Sequence, residues 1–181
     1  ATDAIVVING TKPVAIPEDA RVVIVNYDIF PSHAGNLTLW MPQTAILDEA
    51  HMVKNPKTKR TKAIKDFIDH TSPRVIALSG TPLMNRPVEL IPILQMTGAF
   101  EDVGGTWMDY VKTFCRARKT KWGWDVNGAS NLDLLAPLDL ENPAVSFDMP
   151  RWPVSRQRVA SWLEPLQQHG APVVLNPGAG W

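Results

Sequence analysis

The apolar positions of this chain fall in short blocks separated by polar turns. Ile5 to Ile8 is a β-branched run closed by Asn9-Gly10, a turn signal. Arg21 to Tyr27 is stronger, nearly all β-branched, as a strand buried on both faces should be. Thr44 to Leu47 and Arg74 to Leu78 predict two further apolar strands. Between them the period changes. In Lys57 to His70, Ala63, Ile64, Phe67 and Ile68 share one helical face, and Lys59, Arg60, Lys62, Lys65 and Asp66 fill most of the rest. Asn55-Pro56 marks a plausible start for that helix. Val88 to Met96 predicts an apolar helix, with Pro87 tolerated in its first turn and Pro92 expected to kink or break it. Asp28 to Leu39 predicts a loop or a weak helix, broken by Pro31 and Gly35. Short apolar strands alternating with helices predict an α/β fold: a parallel sheet with helices on both faces.

Two of the predicted strands end in polar loops. Thr44 to Leu47 runs into Asp48-Glu49-Ala50-His51, and Arg74 to Leu78 runs into Ser79-Gly80-Thr81-Pro82. In open parallel sheets, ligands sit beyond the carboxyl ends of the strands. If these strands are parallel, both loops lie on one edge of the sheet. Two adjacent carboxylates there suit a hard cation such as Mg²⁺ and a water or phosphate beside it. The competing reading is an acidic turn opening a helix, since acids favour helix N-termini.

Composition narrows the choices. The chain has 181 residues, 45% hydrophobic and 20% charged, which predicts a packed core. Formal net charge is zero, so any nucleic-acid binding must rest on local patches. Two such patches exist. Lys54, Lys57, Lys59, Arg60, Lys62 and Lys65 form a basic run along the predicted helix, either a phosphate-binding face or a solvated one. Lys112, Arg116, Arg118, Lys119 and Lys121 form a second run among Trp107, Trp122 and Trp124. Basic residues with interleaved aromatics suit nucleic acid, although tryptophans more often anchor packing. The single cysteine, Cys115, excludes an internal disulfide and a multi-cysteine metal site. Its neighbours Trp107, Tyr110, Val111 and Phe114 predict a buried, inert thiol on a helix. No apolar stretch is long enough to span a bilayer, and no signal peptide is visible. The first residue is not Met and strand-like sequence begins at Ile5, so we expect the chain to start inside a larger protein.

The loop residues and their flanks resemble a known family. Leu47-Asp48-Glu49-Ala50-His51 with Lys54-Asn55-Pro56, and Ala77 to Leu90 around Ser79-Gly80-Thr81, are similar to motifs two and three of the Swi/Snf-type DNA-dependent ATPases of helicase superfamily two. Val23 to Asp28 resembles the strand before motif two. Phe114-Cys115, Trp122-Gly123-Trp124-Asp125 and Gly128 to Leu132 resemble the annealing-helicase subgroup. The likeness covers about residues 1–133. It implies a partial RecA-like lobe, with ATP, Mg²⁺ and DNA as partners of the intact protein. It gives Asp48 the Mg²⁺, directly or through water, and Glu49 the water that attacks the γ-phosphate. His51, Ser79, Gly80 and Thr81 would couple nucleotide state to DNA. Lys54, Lys57, Arg60, Arg116, Arg118 and Lys119 are the candidate nucleic-acid contacts. The location implied is cytoplasmic, at the nucleoid in a bacterium, or nuclear in a eukaryote. One part has no counterpart: no Gly is followed by Lys, so a Walker A loop is expected upstream of Ala1. The second motor lobe has no counterpart either. This chain alone is expected neither to hydrolyse ATP usefully nor to hold ATP or Mg²⁺ tightly.

The last quarter reads differently. Prolines 137, 143, 150, 153, 165, 172 and 177 crowd it, and lysine stops after Lys121. Composition predicts a linker over 134–150 and a helix–strand tail over 151–181. Val159, Trp162, Leu163 and Leu166 mark a helical face, and Val173-Val174-Leu175 a strand. The end, Asn176-Pro177-Gly178-Ala179-Gly180-Trp181, resembles the opening of the C-terminal lobe of ADP-heptose-type, GT-B glycosyltransferases. The tail is therefore read either as foreign or as the coincidental ending of a divergent family member, and is expected to pack poorly on residues 1–133. Besides a translocase segment, the sequence leaves open a non-catalytic nucleic-acid-binding module and a glycosyltransferase remnant carried by the tail.

Overall fold

A computed structural model of the chain describes residues 5–79, 86–135 and 172–176. Four of the β-branched runs form strands: β1 (Ile5–Ile8), β2 (Val22–Asn26), β3 (Thr44–Leu47) and β4 (Arg74–Ala77). The stretch after β2 is a full helix, α1 (Phe30–Trp40), rather than a loop. Pro31 lies in its first turn, where a missing N–H costs nothing, and Gly35 sits in open space. Phe30 and Leu37 face the core from it, and this burial outweighs weak propensity.

The amphipathic helix α2 (Lys59–Thr71) starts where Thr58 accepts a hydrogen bond from the Thr61 amide, 3.3 Å. The apolar stretch after residue 86 is split as expected. A 3₁₀ turn, Pro87–Leu90, gives way to α3 (Ile91–Thr97), and Pro92 lies in the first turn of α3. Two short helices follow, α4 (Phe100–Gly104) and α5 (Trp107–Phe114). Then come a hairpin, β5 (Arg118–Thr120) and β6 (Gly123–Asp125), a helical turn α6 (Leu132–Leu135), and a last strand, β7 (Pro172–Asn176).

The five long strands make one parallel sheet in the order β1-β2-β7-β3-β4. One face carries Val23, Val25, Ala45, Leu47 and Leu175, packed against Phe30 and Leu37 of α1, Ile64 and Phe67 of α2, and Ile93 of α3. Phe30 and Phe67 meet edge to face at 5.3 Å between ring centres. The other face carries a smaller cluster of Val22, Ile24, Ile46 and Ile76. A second core joins α3 and α5 through Leu94, Tyr110, Val111, Phe114 and Cys115. The Tyr110 hydroxyl donates to the Pro87 carbonyl, 2.8 Å, and a Cβ at Gly104 would sit 2.8 Å from its ring.

Within the tail, residues 172–176 join the sheet. This segment fills the central slot of the sheet, parallel to β2 on one side and β3 on the other. Register aligns Ile8, Val25, Leu175, Leu47 and Ala77 in one row across five strands. Leu175 is fully buried there. A central position satisfies both edges of a strand, and Val173-Val174-Leu175 has the β-branched, apolar composition it needs. The tail helix expected around Val159 to Leu166, the linker 134–150 past Leu135, and the Pro177 to Trp181 loop lie outside the described residues.

Candidate nucleotide and nucleic-acid site

Because the strands are parallel, their carboxyl ends share one edge. That edge gathers Asn26, Tyr27 and Asp28 after β2, Asp48 and Glu49 after β3, and Ser79 after β4. Backbone bonds extend the ladder past the strand ends. The Asp48 amide donates to Leu175 O and the Ala50 amide to Leu78 O, both 2.8 Å. Between these two anchors Glu49 takes a left-handed conformation, φ 50° and ψ 53°. A non-glycine residue there carries local strain, which sites tolerate when their surroundings fix it. The surroundings do so here. The 3₁₀ turn Ala50–Val53 buries Ala50 and Val53 in the main core, and the Thr61 hydroxyl donates to Val53 O at 3.2 Å.

Tyr27 is a site residue that sequence pattern alone does not single out. It is fully buried, and its hydroxyl donates to the backbone carbonyl of Asp48, 2.8 Å. Its pKa is pushed far up, first by burial and then by the Asp48 and Glu49 charges, so it remains a donor. The Asn-Tyr-Asp ending of β2 carried a signal: an aromatic with a polar tip at a strand end needs a buried partner. Asp28 beside it pairs with Arg60 of α2, 2.9 Å.

Asp48 is partly buried, and its carboxyl pKa is raised, chiefly by desolvation and then by the Glu49 charge. Two acids held together in this way repel each other, and a hard cation would relieve that. Among the described residues no group of three or more His, Cys, Asp and Glu side chains could hold a metal ion. The donor set therefore fits Mg²⁺ only in its usual manner, one or two carboxylates completed by phosphate oxygens and water. His51 Nδ1 lies 3.1 Å from Glu49 Oε2 and 3.4 Å from the Ser79 hydroxyl. The structure thus brings together Asp48, Glu49, His51 and Ser79. Gly80 and Thr81, the other two expected coupling residues, lie outside the described residues.

The basic candidates divide. Lys54 does not project freely: its Nζ lies 2.8 Å from Glu89, which Arg86 also binds at 2.9 Å. The Lys54 hydrogen bond, helped by Arg86, lowers the Glu89 pKa. Arg86 in turn donates to the Asn127 side chain, so Lys54, Glu89, Arg86 and Asn127 form a continuous polar chain. Arg60 is held by Asp28, and Lys65 by Asp69 one turn on. Lys57 is exposed. In the second run, Lys112, Arg116, Arg118, Lys119 and Lys121 lie at the surface, and none lies within 4 Å of a described carboxylate. Cys115 is buried as expected, and burial lifts its thiol to about 11.

The model of the SNF2-related domain matches residues 7–122 of this chain. A Drosophila melanogaster protein, "SWI/SNF-related matrix-associated actin-dependent regulator of chromatin subfamily A-like protein 1", is 32% identical over 90% of this chain and 20% of its own length. An alignment of that extent cannot stop at Asp133, so the likeness runs into the proline-rich region. The Xenopus tropicalis protein of the same name is 40% identical over 51% of this chain and 10% of its own length. The Mus musculus "DNA annealing helicase and endonuclease ZRANB3" is 33% identical over 74% of this chain and 13% of its own length. The chain thus spans a fifth or less of the length of these relatives. No solved structure matches it.

Proposed function

Since this chain belongs to the SNF2-related domain family and is related to the annealing helicases, we propose that it supplies the water-activating half of an ATPase site whose turnover drives movement on DNA. The observation that carries this reading is the left-handed Glu49 beside Asp48, pinned to the carboxyl edge of a parallel sheet. Asp48 would hold a Mg²⁺ ion, which supplies charge neutralisation on the phosphates. Glu49 would orient the attacking water and take its proton, with its carboxylate aimed by His51. His51 and Ser79, with Gly80 and Thr81, would pass the nucleotide state to the nucleic-acid surface. A phosphate-cradling loop and a second lobe would come from elsewhere in the protein. On this reading the isolated chain has no useful turnover and holds nucleotide and Mg²⁺ weakly. No helix among the described residues is long and apolar enough to cross a membrane.

The test is Glu49→Gln in the whole protein that carries this segment. DNA-stimulated ATP hydrolysis should fall about 100-fold or more, the usual scale for a lost general base. Nucleotide affinity should stay within a few-fold. Turnover that survives the change would remove Glu49 from the chemistry. The second basic run, with no described carboxylate within 4 Å of its cations, favours one alternative, a nucleic-acid-binding module without catalysis. DNA binding by the protein with no ATPase activity would select it.

A further inference from the structure

The β5–β6 hairpin stands apart from both hydrophobic cores. All of its residues from Arg118 to Asp125 are exposed, and Trp122 at its turn is 87% exposed. A tryptophan left in water among cations is a contact surface. Its surroundings are of one sign. From Lys112 to Trp124 there are five cations and no acid. Lys121 Nζ sits 5.1 Å from the centre of the Trp122 ring. Across the hairpin Lys119 is paired with Trp124, so a second cation and a second aromatic share one face. Within the hairpin, Asp125, opposite Arg118, offsets part of the charge.

The foot of the hairpin is fixed. After β6 the chain turns back over the end of α5, where Ser130 Oγ and Asn131 Nδ2 both donate to the Thr113 carbonyl, 2.7 and 2.8 Å. The Ser130 amide donates to Phe114 O, 2.9 Å. These bonds satisfy carbonyls that the helix end leaves open. Gly128 is required in this return, because a Cβ there would meet Cys115 O and Arg116 Cβ at 2.9 Å. Arg86 then ties Asn127 to Glu89 and Lys54. A well-anchored stem thus presents an exposed indole and a row of cations to solvent.

We infer that this hairpin binds unpaired nucleotides, with a base stacked on Trp122 and the adjoining phosphates on Lys119 and Lys121. The inference deepens the nucleic-acid reading above and rests on it. The single-sign charge selects a polyanion over an apolar protein patch. The open indole selects a single strand over a duplex, whose bases show no free faces except at its ends.

The test uses the 181-residue chain with a fluorescent oligothymidylate and a blunt duplex of the same length, followed by anisotropy. Trp122→Ala should weaken the single strand about tenfold, a typical scale for one stacked base, and leave the duplex within about twofold. Trp122→Phe should recover most of the loss. Thermal midpoints of both variants should match the parent, since the side chain lies outside both cores. If the parent binds the duplex and the single strand but Trp122→Ala alters neither, the hairpin assignment fails and the nucleic-acid reading stands. Equal losses on both substrates, or no rescue by Phe, would also overturn stacking. If the parent binds neither, the hairpin assignment fails, and the nucleic-acid reading is decided by DNA-stimulated ATP hydrolysis in the whole protein.

Discussion

Two basic runs in this chain look alike on paper and differ in the folded molecule. In the first, Lys54 to Lys65, Lys54, Arg60 and Lys65 meet acids brought from three places, while Lys57, Lys59 and Lys62 have no described carboxylate within ion-pair distance. Glu89 reaches Lys54 from the turn before α3, Asp28 reaches Arg60 from the end of β2, and Asp69 reaches Lys65 from the next turn of α2. The second, Lys112 to Lys121, meets no described acid within ion-pair distance. In the first run Lys54 and Arg60 fix the Asp48 loop and α2 against their neighbours. In the second they are left to face an outside partner. A run of lysines and arginines therefore carries no function by itself: what counts is which acids the fold returns to it.

The contrast can be broken by moving charge in each run separately. The largest effect is expected from Arg116→Gln, Lys119→Gln and Lys121→Gln combined. Single-strand affinity should fall more than about tenfold, and the log–log salt slope should become shallower by about two, at ~0.7 for each phosphate no longer neutralised. The thermal midpoint should barely move. A substantially destabilised triple variant with unchanged binding would reverse the comparison.

Glu89→Gln is expected to act the other way. It removes the negative charge that Lys54 and Arg86 share but leaves an amide oxygen as acceptor, and because Arg86 is exposed the cost in denaturant unfolding should be about 1 kcal/mol. Its pH dependence has a definite sign. The folded Glu89 pKa is lowered, so the carboxylate stabilises above its ordinary value of 4.5, and that contribution is lost as pH falls through the lower folded value. The gap between parent and Glu89→Gln should therefore be flat above about pH 5 and close in more acidic solution. A gap independent of pH would mean that shape, not charge, sets the cost.

Smaller effects complete the series. Arg60→Gln should cost about 0.5 kcal/mol, because Asp28 is largely exposed, and should change single-strand affinity less than about twofold. Lys65→Gln, which removes an exposed one-turn pair, should cost about 0.3 kcal/mol. If either change weakens binding as much as the hairpin triple does, α2 is a contact surface after all.

The legible part of this fold was local. Short β-branched runs marked β1 to β4, and a 3.6-residue period marked α2, because each is written in neighbouring residues. The Asp48-Glu49 pair at a strand end was legible for the same reason. Helix α1 was not, because Pro31 and Gly35 weaken its local signal, while Phe30 and Leu37 form it through burial against α2 and the sheet. The hairpin was not visible as strands, since Arg118-Lys119-Thr120 has no apolar alternation. Tyr27 was hidden as a site residue because its partner is a backbone carbonyl 21 residues away.

By itself the sequence determined the strand and helix blocks, the acids at the end of β3, and the family they belong to. Such features need only a few consecutive residues to be specified. The tertiary structure alone decided that Pro172–Asn176 completes the sheet between β2 and β3, and that Leu175 O anchors the Asp48 amide. It also decided that Lys54, Arg60 and Lys65 are paired with acids while the cations of the second run are not. These outcomes depend on contacts between segments tens of residues apart, where burial and charge are set by the packing of the whole chain.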